Sequence, residues 1–222
     1  MSFMKLKPGE KLIAKETDYT SGSLGWFGRG VNDAYDLYLV EEVNGNYILV
    51  LFMKLQFLFE ESPSLKWTTQ EETLFIEDFK KKINQKWGGK RILKSLSKGK
   101  KITIDIRFDT WSGGWSISEH WEITVEKIQK GGFSTSSVNP ISGSVKLDSE
   151  DGNFANKGYG VKQRGLVHEF GHMLGLPDEY KVGTPHEKVY NSIMNRGETI
   201  FARHDVVYLK WLNNIIKQKG IK

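Results

Sequence analysis

The sequence contains no cysteine, and this absence excludes several kinds of functional site. None of the 222 residues is Cys. Disulfide frameworks, thiol catalysis, iron–sulfur clusters and zinc sites built on thiolates are therefore ruled out. Any metal site must use nitrogen and oxygen ligands. The redox compartment stays open, because a chain without cysteine suits reducing and oxidising surroundings equally well.

Proline is scarce, and long apolar runs are missing. Five prolines against 23 glycines indicate many turns rather than a stiff linker. The longest apolar stretch, residues 47–59, is interrupted by Lys54 and Gln56 and is too short to span a bilayer. The first residues lack the apolar run of a signal peptide. We expect no membrane span, and localisation stays open between the cytoplasm and export by a non-standard route.

The charge balance is moderately basic, and the chain has enough apolar residues to fold. The net charge is +5, with 38% hydrophobic and 27% charged residues, a mixture that can bury a core. The densest basic patch, residues 80–101, is interpreted as a solvated helix face and its following loop, so no nucleic-acid partner is required. The length indicates one domain, or one domain with a substantial extension.

The first 60 residues are predicted to be rich in β-strands. Apolar runs at residues 36–43 and 47–59 flank an Asn-Gly pair, which is a strong hairpin signal. The glycine-rich stretch at residues 21–30 lacks the ending of a phosphate-binding loop, so we interpret it as a surface loop. Residues 1–60 form either an added subdomain or further strands of the main sheet.

A helix is predicted at residues 69–87. Thr69 and Glu72 fit a capping box at its start. Apolar residues then recur at every fourth position, so they share one helix face, which is predicted to be core. These residues are Phe75, Phe79, Ile83 and Trp87.

The rest of the chain predicts an α+β fold. Alternating or apolar patterns indicate strands at residues 102–108, 121–128 and 142–148. Further helices are expected at residues 159–174 and 203–217. The predicted architecture for residues 61–222 is a mixed twisted sheet with these helices packed on it.

The stretch VHEFGHMLGLPDEY contains the pattern that points to chemistry. His168 and His172 are four residues apart, so on a helix they lie on one face and can bind a single Zn²⁺. Glu169 is rotated by roughly 100° from His168 and therefore lies beside the metal. There it can take a proton from the metal-bound water, whose pKa zinc lowers toward about 7.

Three later residues make a chance match much rarer. Gly175 can adopt the left-handed conformation that ends a helix, and Pro177 prevents the helix from continuing. Asp178 can then return to the metal as a third ligand. Two imidazoles and one carboxylate suit catalytic zinc with an open position. The same set could hold Fe(II) for oxygen chemistry, but an oxygenase has no need of Glu169 as a base.

With these residues the sequence resembles the metzincin zinc endopeptidases, whose pattern is HExxHxxGxxH or HExxHxxGxxD followed by a turn with Met beneath the metal. Met194 lies 22 residues after His172 in the stretch SIMNRG, and the resemblance covers roughly residues 61–222. It implies a metzincin-like catalytic domain there. The motif also looks like that of metzincin-like domains in bacterial toxins and injected effectors.

The resemblance implies a role for each matching position. His168, His172 and Asp178 become ligands of one zinc ion, Glu169 the general base, and Met194 the residue beneath the metal, with Gly175 supporting the turn. Most metzincins have His where this chain has Asp178. Some metzincins place an oxyanion-stabilising Tyr two residues after the Met, where this chain has Arg196. The candidates for that role are Tyr180, Tyr190, Arg196 and His204.

Other polar residues near the motif have less specific interpretations. Glu179 is interpreted as solvated rather than as a partner of the metal ligands. His186 is a weaker alternative to Asp178 as a ligand, and His120 is interpreted as a surface or packed residue. Residues 142–148 are the candidate for the edge strand that pairs with an extended substrate.

The predicted function is a zinc-dependent endopeptidase acting on a protein or peptide substrate, and we expect a monomer. Two alternatives stay open. The chain could be a binding module with structural zinc, which would have a fourth protein ligand and no open position. It could also be another zinc hydrolase, such as a deamidase, on the same scaffold.

Overall fold

The structure is a computed structural model that describes residues 4–22, 30–62, 64–114 and 118–222. Within these ranges the chain forms one eight-stranded mixed sheet, a separate two-stranded sheet and three α-helices. The predicted α+β class is confirmed. Most of the predicted glycine-rich surface loop lies outside the described residues. None of the helices in these ranges is both long and apolar enough to cross a membrane.

Strand β3 (Tyr47–Glu60) is the centre of the main sheet. Along one side it pairs in parallel with β5 (Lys101–Ser112). Its other side is divided between two strands. The first half pairs antiparallel with β2 (Val31–Glu41), and the second half pairs in parallel with β6 (Trp121–Glu126). The sheet therefore forks at the middle of β3.

The N-terminal strands belong to this same sheet. Strand β1 (Lys11–Ser21) pairs antiparallel with β2, and β2 and β3 form the hairpin predicted from the Asn-Gly pair. On the far side of β5, the short β4 (Ile92–Ser95) adds an antiparallel strand. Residues 1–60 thus supply strands to the main sheet and do not form a sheet of their own.

The other branch of the fork ends at a short edge strand. Strand β8 (Ser144–Asp148) pairs in parallel with β6, and β7 (Ser137–Asn139) pairs antiparallel with β8. The prediction that residues 142–148 form the edge was wrong, because both sides of β8 are paired. Three-residue strands leave little sequence pattern, so β7 was not predicted.

Both faces of β3 are covered, which explains its nearly continuous apolar sequence. Alternate residues point to opposite sides of a strand. Leu49, Leu51 and Met53 join the main core beneath the helices, whereas Ile48 and Val50 join a smaller cluster on the opposite face. The helices lie over the face that carries the main core.

Helix α1 (Thr69–Trp87) has the predicted bounds, but its cap is shifted by one residue. The side chain of Thr68, not Thr69, accepts from the backbone N–H of Glu71, and the Glu71 carboxylate accepts from the N–H of Thr68. The predicted box of Thr69 and Glu72 was therefore wrong. Of the four predicted core residues, three are fully buried and Phe75 is partly buried.

The other two helices are shorter at their start than predicted. Helix α2 (Gly165–Met173) begins late because β9 (Phe154–Asn156) and β10 (Lys162–Arg164) form a hairpin before it. Helix α3 (Val206–Lys219) follows a short 3₁₀ turn that occupies residues 202–205. The β9–β10 hairpin and α2 lie next to each other in the sequence and bring their residues to one site.

The shifted cap of α1 gives a direct test of the fold. Thr68→Ala should lower the free energy of unfolding by about 1 kcal/mol, because it removes the side-chain acceptor of the cap. Thr69→Ala is the matched control and should cause no loss, since its side chain makes no capping hydrogen bond. Urea unfolding of both variants measures the difference. A loss in Thr69→Ala with none in Thr68→Ala would contradict the cap.

Candidate metal centre

Three side chains of the motif meet at one point. The Nε2 atoms of His168 and His172 lie 3.4 and 3.1 Å from Oδ1 of Asp178. The three ligand atoms all lie within 4.8 Å of one another. All three residues are buried. The structure therefore brings together the residues that the sequence predicts as a ligand set.

The end of α2 explains how Asp178 returns to the two histidines. Gly175 has a φ of +96°, and the N–H groups of Gly175 and Leu176 donate to the carbonyls of His172 and Gly171. This hydrogen-bond pattern is a Schellman motif, which reverses the chain after a helix. The predicted left-handed conformation of Gly175 is confirmed. Pro177 and Asp178 then run back along the helix.

The hydrogen bonds of the imidazoles fix which nitrogen can bind a metal. Nδ1 of His168 lies 2.8 Å from the carbonyl of Ile193, and Nδ1 of His172 lies 2.7 Å from the carbonyl of Leu176. A carbonyl oxygen only accepts hydrogen bonds, so both Nδ1 atoms carry the proton. In the neutral rings, both Nε2 atoms therefore present lone pairs toward Asp178.

With both rings neutral, three hydrogen-bond acceptors face one another, an arrangement that a bound cation would stabilise. Oδ1 of Asp178 is buried between the two Nε2 atoms. In a tetrahedral zinc site with bonds of about 2.0–2.1 Å, neighbouring ligand atoms lie about 3.3 Å apart. The measured separations of 3.1 and 3.4 Å match that spacing. The donor set and its geometry thus fit Zn²⁺.

The electrostatics of the three residues are strongly coupled. Burial alone would raise the pKa of Asp178, but the two imidazoles lower it far below its usual range. Burial likewise opposes the charged form of His172, yet Asp178 and Glu169 raise the pKa of this histidine. Asp178 therefore stays ionised at neutral pH. Its second oxygen lies 3.4 Å from Nζ of Lys181.

Met194 is buried and packs against helix α2 at Gly171. A Cβ atom placed on Gly171, between the two histidines in α2, would lie only 2.2 Å from the Met194 sulfur. Only glycine at 171 allows this contact. The indole of Trp87 in α1 lies next to the same glycine and donates to the carbonyl of Val167 at 2.9 Å. The sequence analysis did not single out Gly171.

Glu179 is buried, so the prediction that it is solvated was wrong. Its carboxylate accepts two hydrogen bonds from Arg203, at 2.6 and 2.9 Å, and one from His204 at 3.2 Å. Its backbone N–H donates to the carbonyl of Met194 at 2.8 Å. Glu179 thus ties the turn that carries Asp178 to the turn that carries Met194.

The four candidates for oxyanion stabilisation occupy different places. His204 is 1% exposed, and its Nε2 lies within 3.3 Å of Glu179 and Ser192, which places it in the supporting network. Tyr190 stacks on Tyr159 with ring centroids 4.0 Å apart. Tyr180 lies beside the His168 ring, with ring centroids 6.3 Å apart, and its hydroxyl interacts with the Asp178 carboxylate. The Arg196 guanidinium lies 5.9 Å from the centroid of Tyr180.

A polar cavity of about 270 Å³ opens beside the ligand set. Glu169 faces it from α2, and burial raises the pKa of this carboxyl against the opposing effect of the two imidazoles. Burial and the Asp178 carboxylate raise the pKa of Tyr180 to about 12, so this phenol keeps its proton at neutral pH. One wall is residues 134–136, which precede the edge strand β7. Glu169, Tyr180 and the residues that lead into edge strand β7 therefore line the same cavity.

A second group of metal-ligating residue types lies at the fork of the sheet. It consists of Asp18, Asp36 and His120. Nδ1 of His120 accepts from the backbone N–H of Lys54 at 3.2 Å. The proton of the neutral ring is therefore on Nε2, which lies 3.4 and 3.3 Å from the two carboxylates. This tautomer leaves no lone pair for a metal on Nε2, which is buried between the two carboxylates without a hydrogen-bond partner. The packed interpretation of His120 is confirmed, since it is buried.

His186 is not brought to the ligand set. Among the described residues it is absent from both groups, and its backbone carbonyl accepts from the Asn195 side chain at 3.3 Å. Gln163, which the sequence analysis did not single out, donates to the carbonyls of Ile193 and Gly197 at 2.9 and 2.7 Å. It holds the carbonyl that orients His168. A lone glutamine gives no sequence signal for such a role.

Comparison with known proteins gives no match at the level of sequence. No protein-family model matches the chain, and no curated protein sequence is similar to it.

The buried Glu179 gives a test of how the ligand set is held. Glu179→Ala should lower the free energy of unfolding by about 2–3 kcal/mol, because it leaves Arg203 and His204 without their carboxylate partner. It should also weaken zinc binding about tenfold, as expected for a residue that positions a ligand. Denaturant unfolding and competition with a zinc chelator measure the two effects.

The matched control is Glu77→Ala on α1. The Glu77 side chain is 68% exposed and forms only a 3.7 Å pair with Lys80. Its removal should change stability by less than about 0.5 kcal/mol and leave zinc affinity unaltered. Equal effects in the two variants would mean that Glu179 does not support the site.

Proposed function

We propose that this protein is a zinc-dependent endopeptidase of the metzincin type. The observation that carries the proposal is the convergence of His168 Nε2, His172 Nε2 and Asp178 Oδ1 within 4.8 Å of one another, with both Nδ1 atoms facing backbone carbonyls. The HExxHxxGxxD pattern, the left-handed Gly175 and the buried Met194 agree with it. The substrate is a protein or peptide.

The chemistry is divided between the metal and one carboxylate. When bound to the three ligands, Zn²⁺ supplies a Lewis acid that polarises the scissile carbonyl and makes a water molecule more acidic. Glu169 is the general base that takes a proton from the attacking water. It then passes the proton to the leaving amine as general acid. Its raised pKa suits this exchange, because a catalytic group works best with a pKa near the working pH.

Tyr180 is the residue that we propose for oxyanion stabilisation. It lines the cavity beside Glu169 and its ring lies next to that of His168. Its hydroxyl can donate a hydrogen bond where negative charge develops on the carbonyl oxygen. The Arg196 guanidinium is held against the Tyr180 ring, Tyr190 does not line the cavity, and the His204 side chain is hydrogen-bonded to Glu179.

An extended substrate would add to the sheet along β7. Among the described strands, β7 pairs only with β8, so its outer edge can accept another strand. Residues 134–136 lead from the cavity into this strand. A peptide paired there would pass the ligand set and Glu169.

Two other functions would use the same residues differently. A binding module with structural zinc would need a fourth protein ligand, and among the described residues the ligand group has three members. A zinc-dependent deamidase would share the ligands and the base but release ammonia from a side-chain amide. The endopeptidase is favoured over the deamidase by the sheet edge beside the cavity, which suits an extended main chain.

The role of Glu169 is tested by Glu169→Gln. This variant should keep its zinc and its melting temperature but lose peptide hydrolysis by about a hundred- to ten-thousand-fold, the range expected for removal of a general base. A peptide library incubated with and without chelator, followed by mass spectrometry, measures cleavage. Zinc content is measured on the same samples. Glu77→Gln, on the exposed face of α1, is the charge-matched control.

Three outcomes would change the proposal. Full cleavage by zinc-loaded Glu169→Gln would mean that another group is the base. Cleavage that survives removal of zinc would mean that hydrolysis does not depend on this site. A product heavier by about one dalton, with the chain intact, would identify a deamidase rather than a peptidase.

A further inference from the structure

The cavity beside the ligand set has two positive side chains that form no close ion pair with a carboxylate. Lys157 and Arg196 both line it. Within the described ranges, every other arginine forms an ion pair with a carboxylate, and Arg196 does not. Lys157 does not lie within ion-pair distance of an acidic group, and its charge acts on the Glu169 carboxylate only at longer range. Two cations without a close ion pair in one cavity indicate a negatively charged ligand.

Arg196 is held in place without being neutralised. Its guanidinium lies between two tyrosine rings, 5.3 Å from the centroid of Tyr159 and 5.9 Å from that of Tyr180. One N–H donates to the backbone carbonyl of Lys157 at 3.3 Å. Stacking of this kind orients a guanidinium while leaving its charge available. The fixed fork of N–H donors matches a carboxylate.

The backbone around Tyr159 supports the contact between its ring and the Arg196 guanidinium. Tyr159 has a φ of +53°, a conformation that is unfavourable for a residue other than glycine. It lies on the turn of the β9–β10 hairpin, and its ring stacks on Tyr190 at 4.0 Å. Strained residues cluster at binding sites. The strained backbone here places the ring of Tyr159 against the guanidinium of Arg196.

We infer that this cavity selects substrates that carry a carboxylate near the scissile bond, with Arg196 and Lys157 as the specificity-determining residues. The inference rests on the proposed peptidase function. Glu169 lines the same cavity and carries the opposite charge, and Lys157 partly offsets that charge, whereas Arg196 is held against the ring of Tyr180. The carboxylate can come from an Asp or Glu side chain or from the C-terminus of a peptide.

One neighbouring group would favour an uncharged amide instead. Oδ1 of Asn195 is buried without a hydrogen-bond partner, and Asn195 lines the cavity. This acceptor could bind the NH₂ group of a Gln side chain, which a carboxylate lacks. Two cations outweigh one neutral acceptor, so we expect Glu to be preferred over Gln. Comparing these two residues therefore gives the sharpest test.

The test uses blocked peptides that differ in a single residue. Acetylated and amidated peptides carry Glu or Gln at successive positions. A further acetylated peptide without charged side chains has a free C-terminus. For the zinc-loaded protein, kcat/KM for the best Glu peptide should exceed that for its Gln partner by at least about tenfold. In Arg196→Gln and Lys157→Gln this ratio should fall toward one. Arg196→Glu should reverse the charge preference, so that a matching peptide with Lys at that position is cleaved faster than the Glu peptide.

The controls separate this inference from the proposed function. Lys15→Gln, on the exposed side of β1, removes one positive charge elsewhere and should keep the ratio. Binding of the same peptides to zinc-loaded Glu169→Gln is measured by fluorescence anisotropy, and zinc content verifies each variant. Preference for the peptide with a free C-terminus over every Glu peptide would identify the terminal carboxylate as the ligand.

The outcomes are distinct. Equal cleavage of Glu and Gln peptides by the wild-type protein, or a ratio unchanged in both cavity variants, overturns the inference and leaves the peptidase intact. Preferential binding of Glu peptides without cleavage of any peptide overturns the peptidase and keeps carboxylate recognition. Absence of both cleavage and preferential binding overturns both.

Discussion

When both imidazoles are neutral, three hydrogen-bond acceptors meet at His168, His172 and Asp178, and the surrounding structure holds them in that arrangement. The arrangement follows from two backbone carbonyls, of Ile193 and Leu176, which require a proton on each Nδ1. Such a set is repulsive in the absence of a cation. The rest of the fold must supply the free energy that holds these residues together. Metal binding would stabilise the folded protein by removing the repulsion.

Support for the site comes from distant parts of the chain. Ser21, at the end of β1, donates to the carbonyl of Leu174, and a Cβ on Gly175 would meet the Ser21 hydroxyl at 2.6 Å. Trp87, at the end of α1, holds α2 through the carbonyl of Val167. Arg203, before α3, holds Glu179. The N-terminal strands are thus part of what positions the helix end, although they contribute no ligand.

The two histidines of the ligand set differ from His120 and His204 in a single respect. Nδ1 of His120 and of His204 accepts a backbone N–H, so Nε2 keeps its proton and faces carboxylates. The His204 ring donates to Glu179, whereas Nε2 of His120 is buried without a hydrogen-bond partner. The direction of one backbone hydrogen bond per ring therefore decides which histidines can bind a metal. Proximity of a histidine to carboxylates is not sufficient.

Local signals in the sequence predicted those features that local interactions determine. The bounds of α1, the β2–β3 hairpin and the left-handed Gly175 all follow from residues within a few positions. The cap was misplaced because the chain offers two adjacent threonines, each followed three residues later by a glutamate. Both registers satisfy the same pattern, and only tertiary packing selects Thr68.

Features that depend on distant contacts were missed. The burial of Glu179 depends on Arg203, which lies 24 residues away. The late start of α2 depends on the β9–β10 hairpin, whose turn contains positive φ angles at Gly158, Tyr159 and Gly160. The edge strand β7 is too short to leave a pattern. The ligand set itself was predicted, because His-Glu-x-x-His and its continuation fall within eleven residues of the chain.

The central claim is that His168, His172 and Asp178 form one zinc site with an open position. X-ray absorption at the zinc edge, on protein loaded with one equivalent of zinc, measures its coordination directly. We expect the zinc ion to have nitrogen and oxygen neighbours at about 2.0–2.1 Å, with the scattering signature of two imidazoles. In Asp178→Ala the two imidazoles should remain, and the affinity should fall. A shell of three imidazoles, or of one, would contradict the assignment.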